Sequence, residues 1–152
     1  MLKGVSGALV GLGVIGFLVM MVVFAQDYGA APNTVPTHFG PSGEPDAWGP
    51  KSTFVIFPVN GIVLLGLAAA IATFGLPSRK RPVPPILPVL TCAVFVELIW
   101  VLLFTEMGSF AVALRQTTEL NATVMWVGLS AVMLTTASLV AVAVVYAVRS
   151  RV

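Results

Sequence analysis

The sequence contains few charged residues, a single cysteine and a single histidine. Only 9% of its 152 residues are charged, whereas 58% are hydrophobic; soluble domains carry roughly a quarter charged residues. A soluble fold of this size cannot bury so much apolar surface, so the composition predicts one membrane domain. With Cys92 alone an intrachain disulfide is excluded, and we expect a buried thiol that packs as a small apolar residue. The net charge of +2 gives no reason to expect a nucleic-acid partner.

Four apolar segments are long enough to cross a bilayer, which takes about 20 residues in a helix. The predicted transmembrane helices cover residues 5–24, 54–76, 86–105 and 123–148. The apolar character of the third segment continues toward Leu114. Prolines within and beside the loop at residues 77–85 are typical of helix boundaries. The sequence therefore predicts an all-α membrane protein whose four transmembrane helices form an antiparallel bundle.

The basic residues are distributed unequally between the two ends of these segments. Two of the eight, Lys51 and Arg115, fall at one end. The other six fall at the opposite end and are Lys3, Arg79, Lys80, Arg81, Arg149 and Arg151. Basic residues accumulate on the cytoplasmic side of a membrane. We therefore expect both termini and the loop at residues 77–85 to be cytoplasmic. The loop at residues 25–53 and the shorter connection at residues 106–122 are expected to be extracytoplasmic.

The first segment contains a glycine pattern that resembles a nucleotide-binding motif. Gly11-Leu12-Gly13-Val14-Ile15-Gly16 fits the dinucleotide fingerprint by its letters. That fingerprint requires a preceding strand and a following acidic residue within a βαβ unit, and neither is predicted inside a membrane span. The glycines indicate close packing between helices instead.

Two strongly polar residues, Glu97 and Asn60, fall within the predicted spans. All the other acidic residues are predicted to lie on the outer side. Glu97 is ~16 Å above Ile86 along a helix, near the middle of the bilayer, where Thr135 and Thr136 of the fourth span also lie. A carboxylate there is costly. Glu97 is interpreted either as part of a proton or cation relay or as a neutral acid bonded to one of these threonines or to a backbone carbonyl.

The loop at residues 25–53 combines many prolines and glycines with polar residues. This composition predicts turns rather than long elements, with turn signals at Ser42-Gly43 and Gly49-Pro50. Phe39 and Trp48 are expected to lie at the headgroup level as interfacial anchors. Held in this way, the loop would be a small ordered cap.

The loop also contains the only histidine and two acidic residues within nine positions: His38, Glu44 and Asp46. Three interpretations remain open. The side chains could hold a metal ion through nitrogen and oxygen ligands. His38 could pair with either acid and respond to external pH. The third interpretation is a structural cap held by turn residues and one or two ion pairs.

Three strings in this loop form a recognisable pattern. They are Pro36-Thr37-His38-Phe39, Gly43-Glu44-Pro45-Asp46 and Trp48-Gly49-Pro50-Lys51. The pattern resembles the signature of a bacterial membrane domain of unknown function found in SdpI-type immunity proteins. The resemblance covers the first half of the chain, to around Gly75, and departs at Gly40, where the family often has Asn or Asp. The candidate recognition residues are Pro36, His38, Phe39, Gly43, Pro45, Asp46, Trp48 and Lys51.

The resemblance implies a multi-pass protein of the bacterial cytoplasmic membrane. SdpI-type proteins protect their host from a secreted peptide toxin and can sequester a repressor at the inner face. The resemblance thus implies that the outer loop recognises an extracytoplasmic peptide or an envelope component. The second characteristic region of those proteins is not evident in residues 107–152, and the predicted cytoplasmic segments are short, which disfavours a signalling role.

Two other functions fit the sequence. The protein could be an accessory subunit of a larger respiratory or transport complex, packed on a neighbour through the glycine-rich first span. It could also conduct protons or ions through Glu97. No nucleophile–base pair or metal constellation is apparent, so neither an enzyme nor a cofactor is predicted. The expected partners are membrane lipid, other membrane subunits or an extracytoplasmic peptide.

Overall fold

The computed structural model describes residues 2–76 and 83–149. The helices and strands are, in order, α1 (Leu2–Asp27), β1 (Thr34–Phe39), β2 (Pro45–Pro50), a 3-10 helix (Lys51–Val55), α2 (Ile56–Phe74), α3 (Ile86–Ala113) and α4 (Ala122–Arg149). Residues 77–82, with Arg79, Lys80 and Arg81, and Arg151 lie outside the described residues.

The four α-helices are long and apolar enough to cross a membrane. The chain is therefore a multi-pass membrane protein that is mostly helical, as its composition predicts. The third helix is longer than expected: it continues to Ala113, about two turns beyond Thr105. No proline interrupts residues 106–113, and apolar residues recur there at helical spacing. As a consequence, Glu106 belongs to α3 and not to the outer connection where the sequence placed it.

The loop between the first two helices contains regular structure that the sequence did not predict. Strands β1 and β2 form an antiparallel hairpin in which Pro36 is opposite Trp48 and Phe39 is opposite Pro45. The pairing is irregular on both sides of His38. The all-α description is thus wrong in this one respect. Prolines are tolerated because both strands of a two-stranded sheet are edge strands.

One of the two predicted turns in this loop is present. The hairpin turns through Gly43, which has a φ of 93°. Its N–H donates to the carbonyl oxygen of Gly40 at 2.9 Å, and the Gly40 N–H donates to that of Glu44 at 2.8 Å. The turn predicted at Gly49-Pro50 is wrong, because both residues belong to β2.

Helix α3 is the centre of the helical part and packs against α1, α2 and α4. It runs parallel to α1, since Gly13 faces Val96 and Phe24 contacts Phe110 nearer the other end. A Cβ atom added at Gly13 would lie 3.2 Å from Val96, and one at Gly16 would lie 3.3 Å from Trp100. The interpretation as helix-packing positions is confirmed for these two glycines and is wrong for Gly11, where no atom lies within 4 Å of an added Cβ.

Helix α2 runs antiparallel to α1 and α3. Gly61, in its second turn, approaches Met20 so closely that an added Cβ would lie 2.9 Å from the sulfur atom. Towards the other end of α2, the Ala68 carbonyl oxygen accepts a hydrogen bond from the Cys92 thiol at 3.4 Å. Cys92 is free and fully buried, so the expectation of a buried thiol is confirmed.

A cluster of buried side chains lies where the hairpin meets the helices. The Phe110 ring packs edge-on against Phe54, with ring centroids 4.7 Å apart. Val35 of β1 is completely buried in the same cluster, beside Ile99 and Leu103 of α3. Burial of large apolar side chains contributes roughly 1.5–3 kcal/mol each. The hairpin therefore belongs to the packed core and is an ordered cap on the helices.

Candidate functional site

The tip of the hairpin is fixed to the connection between α3 and α4. The carbonyl oxygen of Gly43 accepts a 2.8 Å hydrogen bond from the Leu120 N–H. The indole N–H of Trp126, in α4, donates to the carbonyl oxygen of Pro41 at 3.1 Å. Leu120 itself is buried against Gly108 of α3. These contacts hold the tip in one place relative to the helices.

Gly43 is required at this tip for two physical reasons. Its positive φ is unfavourable for residues with a Cβ atom. In addition, a Cβ atom at this position would lie 2.1 Å from the carbonyl oxygen of Leu120, a backbone atom. The glycine of the loop pattern is thus explained by the docking of the tip and not by contact with a ligand.

The base of the hairpin is fixed by Lys51. Its Nζ atom donates to the carbonyl oxygen of Ala31 at 3.2 Å and lies 5.0 Å from the centre of the Tyr28 ring. Its backbone N–H donates to the carbonyl oxygen of Asn33 at 2.9 Å. Tyr28 is in turn stacked on Phe24, with ring centroids 4.6 Å apart. Lys51 therefore closes the base of the hairpin, and its ammonium group contacts Ala31 and Tyr28 of the same chain.

Between tip and base, the hairpin exposes one imidazole–carboxylate pair. Nδ1 of His38 lies 2.5 Å from Oδ1 of Asp46. The two side chains are 70% and 54% exposed, respectively. Glu44 is exposed as well but does not join them. In the parts of the chain that the structure describes, no three His, Cys, Asp or Glu side chains come together, so the three-residue metal interpretation lacks its ligand set.

The remaining pattern residues divide by exposure. Pro36 is fully buried beneath the hairpin, and Phe39 and Pro45 are half-buried. Trp48 is 55% exposed although it is among the largest side chains of the loop. The recognition residues named from the sequence thus separate into those that shape the hairpin and a smaller exposed set, which consists of His38, Asp46 and Trp48.

Glu97 is bonded to the fourth helix. The Thr135 hydroxyl donates to Oε1 of Glu97 at 2.9 Å, one of the bonds expected for a neutral acid, whereas Thr136 is exposed. The relay interpretation stays a prediction. Asn60, by contrast, is exposed. Its Nδ2 atom donates to the carbonyl oxygen of Ile56 in the same helix at 2.8 Å.

Sequence reasoning missed Glu106 as an interior group. Its side chain is fully buried, and neither carboxyl oxygen has a hydrogen-bond partner within residues 2–76 and 83–149. Asp27, the last residue of α1, lies near enough to interact with it electrostatically. The signal was present in the sequence, because Glu106 continues the helical spacing of the buried residues Ile99, Leu103 and Phe110.

The comparisons with known proteins point to the same region. The family model of a domain of unknown function, DUF1648, matches residues 15–62. No curated protein and no solved structure matches the chain. The matched residues include the second half of α1, the whole hairpin and the start of α2. The chain is thus similar to this domain in the segment that builds the hairpin and joins it to two helices.

Proposed function

We propose that the protein is an SdpI-like membrane protein whose hairpin recognises an extracytoplasmic peptide or envelope component in an immunity-type role. The observation that carries the proposal is the fixed hairpin itself, held through Gly43 at its tip and Lys51 at its base. An ordered hairpin binds a partner without first losing conformational entropy. The resemblance of its loop strings to the signature of SdpI-type proteins is what suggests the immunity-type role; the matched domain, at residues 15–62, has no known function of its own.

The exposed side chains indicate what the hairpin would recognise. Trp48 supplies a large apolar contact beside the hydrogen-bonding pair of His38 and Asp46. Exposed aromatic residues are frequent binding hot spots. An extended peptide could also add a strand to an open edge of the two-stranded sheet. These properties favour a peptide with apolar and hydrogen-bonding side chains over a small ion.

The proposal includes a location. The four helices cross a bacterial cytoplasmic membrane as an antiparallel bundle with both termini inside, so that the hairpin faces outward. The unequal distribution of basic residues supports this orientation. No catalytic step and no cofactor is part of the proposal.

A combined substitution of the exposed residues tests this function. Bacteria that lack the protein are challenged with membrane-active peptides secreted by competing strains, with and without plasmid-borne protein. We expect protection by the wild type against at least one peptide, and loss of protection in the His38→Ala/Asp46→Ala/Trp48→Ala variant at an unchanged membrane level. Ser52→Ala, an exposed change outside the set, should protect fully. Protection by the triple variant would contradict the proposal.

A second function, as an accessory subunit of a larger membrane complex, is favoured by the surface of α4. None of the residues of this helix, Ala122–Arg149, is buried, and its main helix contact is with α3. A neighbouring subunit would cover this surface. Purification in mild detergent should then yield partner proteins in fixed ratio, whereas a protein that purifies alone would rule this function out.

A further inference from the structure

A groove lies between α1, α3 and α4. It has a volume of about 510 Å³, within the roughly 300–1,000 Å³ of typical small-molecule sites. Leu12 of α1 and Val127 of α4 form its sides, and Trp100 and Phe104 of α3 contribute its aromatic surface. Because Leu12, Phe104 and Val127 of its lining are exposed, the groove opens toward the region that lipid occupies.

Glu97 is the only ionisable residue among the described residues that line this groove. One carboxyl oxygen is bonded to Thr135, at 2.9 Å. The other, Oε2, is buried and has no partner in the described part of the chain. An isolated carboxylate is costly in apolar surroundings. A protonated Glu97 would offer its proton to a base in the groove, and the carboxylate left behind would pair with the resulting cation.

We propose that the groove binds a lipophilic amine, a molecule with an apolar body and one amino group. The amine enters from the lipid uncharged. The nitrogen lone pair then takes the carboxyl proton of Glu97, which yields an ammonium–carboxylate pair without moving net charge into the membrane. The terminal torsion angle of a glutamate side chain takes a broad range of values, so the carboxyl group can turn toward the groove.

The chemistry of the groove favours an amine over other lipophilic molecules. A hydrocarbon would leave Oε2 without a partner. An alcohol would form a neutral hydrogen bond, and a charge-assisted bond is roughly twice as strong. Trp100 and Phe104, with ring centroids 6.3 Å apart, add aromatic faces that attract an ammonium group. The site lies among the helices, so the inference does not depend on the function proposed for the hairpin.

Trp100 provides the readout for a binding experiment. The chain has three tryptophans, and the Trp48→Phe/Trp126→Phe protein retains Trp100 alone. This protein is placed in lipid nanodiscs and titrated with dodecylamine, dodecanol and dodecane while the Trp100 fluorescence is followed. We expect saturable binding of dodecylamine, at least about tenfold tighter than that of dodecanol, which corresponds to about 1.4 kcal/mol.

Three variants make this result specific. Glu97→Gln should abolish the preference for the amine. Glu106→Gln, which changes a buried carboxyl of the same helix that does not line the groove, should retain it. Ala131→Phe, which fills the groove from α4 and leaves Glu97 and Thr135 in place, should abolish binding itself. Equal, non-saturable responses to all three compounds, or an unchanged preference in Glu97→Gln or Ala131→Phe, would overturn the proposal. Helicity measured by circular dichroism establishes that each variant is folded.

Discussion

The backbone N–H of Leu120 donates a 2.8 Å hydrogen bond to the carbonyl oxygen of Gly43. This bond joins the hairpin, from the first half of the chain, to the connection between the last two helices. The contact is so close that only a glycine fits at position 43. The position of the hairpin on the helices is therefore encoded by one residue in the loop and one far along the chain.

The first prediction concerns this contact. Gly43→Ala forces the added Cβ against the Leu120 carbonyl oxygen in a backbone conformation with positive φ. We expect a loss of about 1–3 kcal/mol in the free energy of unfolding, together with faster proteolysis of the hairpin. Thermal unfolding in detergent and limited proteolysis measure both effects.

Gly29→Ala is the matched control, because no atom lies within 4 Å of a Cβ at that position. It should leave both measurements close to those of the wild type. If the two variants behave alike, the tip of the hairpin is not held at Gly43.

The second prediction concerns the buried carboxyl of Glu106. Neither of its oxygens has a partner in the part of the chain that the structure describes. Replacement by a leucine removes the cost of a buried polar group without a bond, so Glu106→Leu should raise the free energy of unfolding by about 1–3 kcal/mol. Met107→Leu, on the adjacent exposed position, controls for the added leucine and should change little. A destabilised Glu106→Leu protein would show that the carboxyl group has a necessary partner.

The third prediction concerns the bond between α3 and α4. Thr135→Val keeps the shape of the side chain but removes the hydroxyl that donates to Glu97. Interhelical hydrogen bonds in membrane proteins contribute about 0.6 kcal/mol on average, up to about 1.7 kcal/mol. We expect a destabilisation in this range by reversible unfolding in micelles. Thr136→Val, the exposed neighbour, should have no such effect, and equal losses for both variants would refute the assigned bond.

The fourth prediction concerns orientation. In a Cys92→Ala background, which removes the only cysteine, single cysteines are introduced at the exposed positions Ser42 and Gly4. A membrane-impermeant maleimide should label Ser42→Cys in intact cells and Gly4→Cys only after lysis. The opposite labelling pattern would place the hairpin on the cytoplasmic side.

Composition and local spacing predicted the helical part of the structure well. Four long apolar helices follow from hydropathy alone, and the expected depth placed Thr135 among the possible partners of Glu97. The turn at Ser42-Gly43 was predictable because a serine–glycine pair is a local turn signal. These features depend on residues that are close in sequence or on the uniform geometry of helices.

The features that were missed depend on contacts between distant segments. The hairpin strands carry several prolines, which normally disfavour strands, and they are stabilised by burial of Val35 and Pro36 against the helices. Glu106 was assigned to a connection because the predicted span ended at Thr105, although the apolar character of the segment continues toward Leu114. The docking of Gly43 on Leu120 has no local signal, since it pairs backbone groups from opposite halves of the chain.

The bond from Trp126 to Pro41 has a consequence for the outer end of α4. Helix α4 rests mainly on α3, so along most of its length it is supported from one side. Near its start it is also held by the hairpin, whose base continues through the 3-10 helix into α2. The hairpin thus connects the start of α4 to the start of α2. A force applied to the hairpin would reach α4 through the bond from Trp126 to Pro41.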